Sequence, residues 1–346
     1  MPLIMDRDRI PTQWAEKKNG HGTRLIEPGH MDVAKIALVN NMPDAALEDT
    51  ELQFFELLET AARGIPVHVE LFSLPSLPRG DRIREHLDKF YSSTDELSGR
   101  EFDGAIITGT EPKQPDLRNE PYWSALSSVF DWAERNTTST VLSCLAAHAG
   151  VLYSDGIVRR PLGDKQFGVF GYRASGGHEL LSGLGDLVRF PHSRWNEVPA
   201  EPLVSCGYQI LTESTDAGVD MFVKQKRNSL FVHFQGHPEY GALTLMREYR
   251  RDIRRFLKGE RATYPSMPHG YFNMEATKQL GEFRERASRG LHEELMQAFP
   301  EDLISGTLEN SWQSSAVCIY QNWLQYVASK KFDRSVFAQT ARVGHA

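Results

Sequence analysis

Three side chains carry the chemistry this sequence offers. Cys144 ends the apolar run Thr140 to Cys144 and opens the small-residue stretch "LAAHAGVLY". The change from a continuous apolar run to a helix-forming one predicts a strand-to-helix turn. That turn would put the sulfur at a helix N-terminus, where free N–H groups and the dipole favour a thiolate. It would also offer the backbone N–H of Leu145 to an oxyanion. Taken alone, the stretch leaves two readings open, because free cysteine is among the most buried residue types and this one has apolar neighbours.

A nucleophile needs a base, and "FVHFQGHPEYG", Phe231 to Gly241, offers one. Gly236 ends an alternating strand, and His237 and Glu239 follow with Pro238 between them. Period two in extended backbone puts both side chains on one side, and Pro238 restricts its neighbours. A carboxylate on one ring nitrogen would then aim the other at a thiol, the logic of a Cys-His-Glu triad. His233 alternates with Val232 and Phe234 and reads as a wall position. His148, one helical turn beyond Cys144, could approach the sulfur or make a structural hydrogen bond. No His, Asp or Glu grouping has metal-ligand spacing and the three cysteines make no CxxC pair, so neither a metal nor a disulfide framework is expected.

The chain that must position these groups has 346 residues and a formal net charge of −7. It can bury a large α/β core, and its charge makes no electrostatic case for nucleic acid or an anionic membrane. No apolar run reaches membrane-spanning length and the start lacks the apolar core of a signal peptide, so a cytoplasmic protein is expected. From "KIALVN" to "TSTVLSC", short apolar runs alternate with helical stretches, which implies parallel βαβ units with both sheet faces covered. Beyond Gly156, "GVFGYRA", "LVRFPHS", "GYQILTE" and a hairpin turning near Arg227 and Asn228 read as the antiparallel margin of that sheet. The boundaries expected are an N-terminal extension over 1–30, on the surface or partly disordered, a catalytic domain over 31–260 and a C-terminal helical extension over 261–346, with helices around "TKQLGEFRERASRGLHEELMQAF" and "SAVCIYQNWLQYVASKK". A homodimer is expected from the prevalence of symmetric oligomers.

With a cysteine in an elbow and His237-Pro238-Glu239 after a late strand, the chain resembles the class I glutamine amidotransferase-like superfamily and, within it, the homoserine O-succinyltransferase family. The segments that carry the resemblance are "LVNNMP", "FDGAIITGT" with "PYW", "SCLAAHAGVLYSDGI", "KQFGVFGY", "PHSRWNEV", "QGHPEYGALTLMREYRRD" and "NWLQYV". They run in order and span most of residues 35–327. The resemblance implies a flavodoxin-like mixed sheet with helices on both faces. It also implies an acyl-CoA co-substrate, no bound cofactor, and a ping-pong acyl transfer in which Cys144 carries the acyl group, His237 is the base and Glu239 orients it. Lys165, Ser193 and Arg251 would bind substrate, with Glu248 one turn before Arg251. Lys113 would occupy the position that helps choose the acyl donor, and its ammonium favours succinyl over acetyl.

The sequence departs from the family at three places. Asp44 and Ala45 follow Met42-Pro43 where the family has two lysines, Ala146 replaces a glycine, and His148 replaces a glutamine. These departures leave open acetyl transfer and another hydroxy amino acid such as serine as acceptor, and the altered lysine loop permits a non-catalytic binding protein on the same fold. A glutaminase-type hydrolase is allowed by the superfamily, but the missing glycine and glutamine around Cys144 weigh against it.

Overall fold

The structure is a computed structural model and describes residues 3–18, 33–290 and 292–343. Strands β1 (Ala34–Val39), β2 (Val67–Ser73), β3 (Gly104–Thr108) and β4 (Ser139–Ser143) form where short apolar runs end at polar or glycine-rich turns. Two long strands follow, β5 (Arg160–Ala174) and β6 (Leu187–Glu197), and then the hairpin β7 (Met221–Lys226) and β8 (Ser229–Phe234). The order β2-β1-β3-β4-β8 is parallel throughout, the flavodoxin-like order of a doubly wound sheet. β7 joins β8 antiparallel and carries Gln209–Ile210 at the far edge, while Ser92–Ser93 closes the other.

Alternate residues of the central strands serve opposite faces. Ile36, Leu38, Ile106, Val141 and Val232 pack with Phe54, Phe55 and Leu58 of α1 (Leu47–Ala61). Helix α2 (Asp81–Phe90) follows β2 and sends Ile83 and Phe90 into the same cluster. On the other face Ala37, Ala105, Ile107, Leu142 and Phe231 pack with α3 (Trp123–Asn136) and α4 (Leu145–Asp155). A third cluster joins α5 (Thr244–Leu257), α6 (Met274–Ala287) and Trp312, and α7 (Gln313–Val343) lays Tyr320, Trp323 and Leu324 on the α1 side. The indole of Trp323 donates to Ser139 Oγ at 2.9 Å, so the tail is hydrogen-bonded to the strand that leads to Cys144.

Three expectations change. "GVFGYRA" and "LVRFPHS" do not extend the main sheet: β5 and β6 pair with each other and, with Thr212–Ser214 and Gly218–Val219, form a separate four-stranded sheet. Their long mutual ladder satisfies the backbone groups that an edge would have offered. The helix read through "TKQLGEFRERASRGLHEELMQAF" stops at Ala287 and is followed by a 3₁₀ turn at Glu293–Ala298. The first residues are not simply a surface wrap, since the Ile4 N–H donates to Val67 O at 2.8 Å and Trp14 packs edge-on against Phe55 at 5.3 Å. Residues 1–2 and 19–30, the remainder of the expected extension, lie outside the described residues.

Among the described residues four histidines are buried, His148, His192, His233 and His237, and burial lowers the pKa of the first three. His233 stacks on Phe222 at 4.6 Å, and burial pushes its pKa down to about 3. Such a group is neutral when folded and protonates near 6.5 when unfolded, so the unfolded chain binds more protons between the two values. Stability is therefore full above pH 6.5 and is lost as pH falls from there toward about 3. His233→Gln removes one of these groups, and its melting temperature should fall less steeply with acid than that of the wild type over this window.

Candidate active site

Cys144 stands between β4 and α4 with φ 52° and ψ −111°, a conformation that costs a non-glycine residue on the order of 1–3 kcal/mol. The strain is held by hydrogen bonds: the Cys144 N–H donates to Phe234 O at 2.8 Å, and its carbonyl accepts from Ala147 N–H at 3.0 Å. The sulfur thus rests at the carboxyl edge of the sheet, at the start of α4 and only partly buried. Gly109, just after β3, is backed tightly against this turn. A Cβ there would sit 2.4 Å from Leu145 Cβ and 3.0 Å from Leu145 N, so only glycine lets the two backbones approach.

The partner segment leaves β8 through Gly236, where a Cβ would lie 2.8 Å from the His192 ring and whose N–H donates to Asp220 at 2.6 Å. The His237 N–H donates to Pro191 O at 2.9 Å, and its Nδ1 meets Glu239 Oε1 at 2.8 Å. The same carboxylate oxygen accepts from Ser143 Oγ at 3.3 Å. Because Glu239 occupies Nδ1, Nε2 is the ring nitrogen left for Cys144, which is among the groups that act on the imidazole. Burial alone would lower the imidazole's proton affinity. The charges and hydrogen bonds of Cys144 and Glu239 outweigh it and hold His237 well above 6.5.

Four of the substrate-binding candidates converge beside this triad. Ser193 Oγ donates to Glu248 Oε2, Lys165 Nζ lies 3.6 Å from the same oxygen, and Arg251 lies 3.5 Å from it. Sequence reasoning missed Asp252 and Tyr240. Asp252 is 3.1 Å from Lys165 and 3.2 Å from Arg251, and although burial raises its pKa, those two cations bring it below the usual carboxylate value. Tyr240 stacks on the His237 ring at 4.2 Å and donates to Glu248 Oε1 at 2.7 Å, joining the triad to the charged cluster. The signal for Tyr240 was its place right after Glu239 in a turn too tight to send it elsewhere.

Other candidates lie apart. His148 does not face the sulfur: its Nε2 meets Gln235 Oε1 at 2.9 Å, and burial, with Arg194 nearby, lowers its pKa to about 3. Ala146 is fully buried in the α3–α4 cluster. Asp44 pairs with Arg79 at 3.2 Å, so the first βα loop is not without a cation. Lys113 is exposed, and its backbone N–H donates to Glu120. Arg159, also missed, has Cys144 among its electrostatic neighbours; burial, its largest influence, lowers its pKa. Among the described residues no group of three or more His, Cys, Asp or Glu could hold a metal ion, and no helix is long and apolar enough to cross a membrane.

The family model and the curated relatives agree on one family. A family model described as homoserine O-succinyltransferase matches residues 27–334. The chain is 44% identical over 296 residues to the homoserine O-succinyltransferase of Methylorubrum extorquens, covering 86% of this chain and 88% of that one. It is 38% identical over 336 residues to the same-named protein of Methylococcus capsulatus, with 94% and 92% covered. Among solved structures, a glutamine amidotransferase from Methylobacillus flagellatus aligns with a TM-score of 0.45 at 14% identity, over 86% of this chain and 96% of that one.

Two outcomes follow from the geometry. Gly109→Ala should cost about 1–3 kcal/mol of stability by overpacking and slow acylation of Cys144 by displacing Leu145, as thermal melting and burst kinetics would show. Glu239→Gln should lower the proton affinity of His237, so that the imidazolium is lost at lower pH and the descending alkaline limb of the acylation rate moves to lower pH.

Proposed function

The chain belongs to the homoserine O-succinyltransferase family, and we propose that it moves succinyl from succinyl-CoA to the hydroxyl of L-homoserine through Cys144. The observation that carries this reading is the His237 imidazole held between Glu239 and Cys144, with Tyr240 linking it to a cluster of paired charges. We assign this chemistry to residues 31–260 and a cytoplasmic setting, where acyl-CoA thioesters are metabolised.

In the first half-reaction the Cys144 thiolate attacks the thioester carbonyl. The oxyanion is stabilised by the Leu145 N–H at the head of α4, the C–S bond to CoA breaks, and the imidazolium of His237 gives its proton to the departing thiolate. His237 is now neutral and is the base for the second half. It takes the proton of the homoserine hydroxyl, whose oxygen attacks the acyl-cysteine carbonyl. The C–S bond to Cys144 then breaks, releasing O-succinylhomoserine and restoring the thiolate–imidazolium pair. Exchange of one thioester for another is nearly isoenergetic, so the enzyme can hold the acyl group while CoA leaves and the acceptor enters.

The acceptor is a zwitterion, and the charged cluster suits one. Arg251 and Lys165 present donors to its carboxylate, the guanidinium in a two-pronged fork. Glu248 and Asp252 present acceptors to its ammonium, and Ser193 adds a hydroxyl. These groups satisfy one another by ion pairing in the free protein, and an amino acid would exchange those pairs for its own without leaving a buried charge unmatched.

Mass spectrometry of intact protein mixed with succinyl-CoA and no acceptor should show one added succinyl group, mapped to Cys144. L-homoserine should then discharge it. Cys144→Ala should take up none and lose turnover by several powers of ten. Active protein with no adduct would overturn the covalent route.

A further inference from the structure

Arg159 is the half-buried cation beside the nucleophile that the mechanism above does not use. After α4 the chain turns at Gly156 in a left-handed conformation, φ 69°, and doubles back, with the Ile157 N–H donating to Val151 O at 3.3 Å. Two residues on, Arg159 has Tyr122, Cys144, Glu120 and Asp116 as its electrostatic neighbours. Both acids are already engaged. Asp116 is bound by Arg118 at 2.8 Å, and Glu120 Oε1 accepts the backbone N–H groups of Lys113 and Gln114. Arg159 Nε is buried without a hydrogen-bond partner among the described residues, and so is the hydroxyl of Tyr122. Tyr122 packs in the same cluster as Leu145, the residue next to the nucleophile.

Two buried donors without partners, one of them a cation whose nearby acids are occupied, call for an anionic ligand. Resting on the acyl-transfer reading above, we infer that Arg159 and Tyr122 bind the free carboxylate of the acyl group while it is carried on Cys144. The carboxylate of a succinyl group lies two methylenes beyond the thioester carbonyl, within a short reach of the sulfur. The phosphates of CoA lie at the far end of the pantetheine arm. A fixed, partly desolvated guanidinium with a phenol beside it discriminates a dicarboxylic acyl group from a neutral one better than the exposed Lys113 can.

The test compares rates of Cys144 acylation, read by intact mass, with succinyl-CoA and with butyryl-CoA, which replaces the carboxylate by a methyl group. In Arg159→Met the succinyl-to-butyryl rate ratio should fall about 10- to 100-fold, the size expected for a lost charge-assisted hydrogen bond. Arg159→Lys should restore most of it, and Tyr122→Phe should lower it about 3- to 10-fold. The last two variants carry the test if Arg159→Met does not fold. An unchanged ratio overturns the assignment, as does equal slowing with both donors, which would put Arg159 against the CoA phosphates. A fall confined to Lys113→Met also overturns it. If the wild type forms no succinyl adduct at all, the transferase reading fails first.

Discussion

The hydrogen bond from the Cys144 N–H to the Phe234 carbonyl ties together everything that the site requires. It continues the parallel ladder of β4 and β8, in which Ser143 lies opposite Phe234, one residue past the end of regular pairing. Because the two strands end level with one another, Cys144 and the His237 segment emerge at the same edge of the sheet. The bond also supports the positive φ of Cys144, which an isolated turn would abandon. The fully buried central strands and the tail helix, bonded to Ser139 through Trp323, hold that ladder in place. Elements distant from Cys144 in sequence therefore set its geometry.

Charge is managed differently on the two sides of His237. Toward the sulfur, imidazole, carboxylate and thiol need one another, since each would be costly to bury alone. Behind it lies a wall of neutral or matched groups. His192 bonds the Tyr172 hydroxyl at 2.7 Å and the Arg194 guanidinium at 3.2 Å, while Gln235 donates to Val198 O and Val219 O at 3.0 and 2.7 Å. This network fixes the loop between β8 and α5 so that Pro238 and Glu239 have little freedom. Tyr240 couples it to the charged cluster, so a change at Glu248 or Asp252 would be felt at the imidazole.

The departures from the family pattern are absorbed by the scaffold. His148 turns away from the sulfur and satisfies Gln235, which makes it part of the wall. Ala146 fills space between α4 and the sheet. Asp44 draws the Arg79 guanidinium into the first βα loop, where Arg79 also donates to the Met42 carbonyl. The acidic residue thus changes the source of the cation at this loop rather than abolishing it. The strongly basic α5 is likewise balanced, with Arg247 on Asp49 at 3.1 Å and Arg250 on Glu301 at 2.8 Å.

The parallel sheet, the elbow at Cys144 and the pairing of His237 with Glu239 could be read from local pattern. Apolar runs, a break in period and a Pro-fixed i, i+2 spacing are decided within a few residues of chain. The separate β5–β6 sheet could not, because strand pairing depends on which distant edge offers matching backbone groups, and short apolar runs do not encode their partners. The same holds for the site's charges. Lys113 and Arg159 are both basic residues a few positions after a glycine, and nothing local distinguishes them. Only the folded chain leaves one in solvent and puts the other beside Tyr122 and the sulfur, with its neighbouring acids already taken. Local sequence determined which groups could react; tertiary packing decided which of them are desolvated and which are paired, and those two conditions set their chemistry.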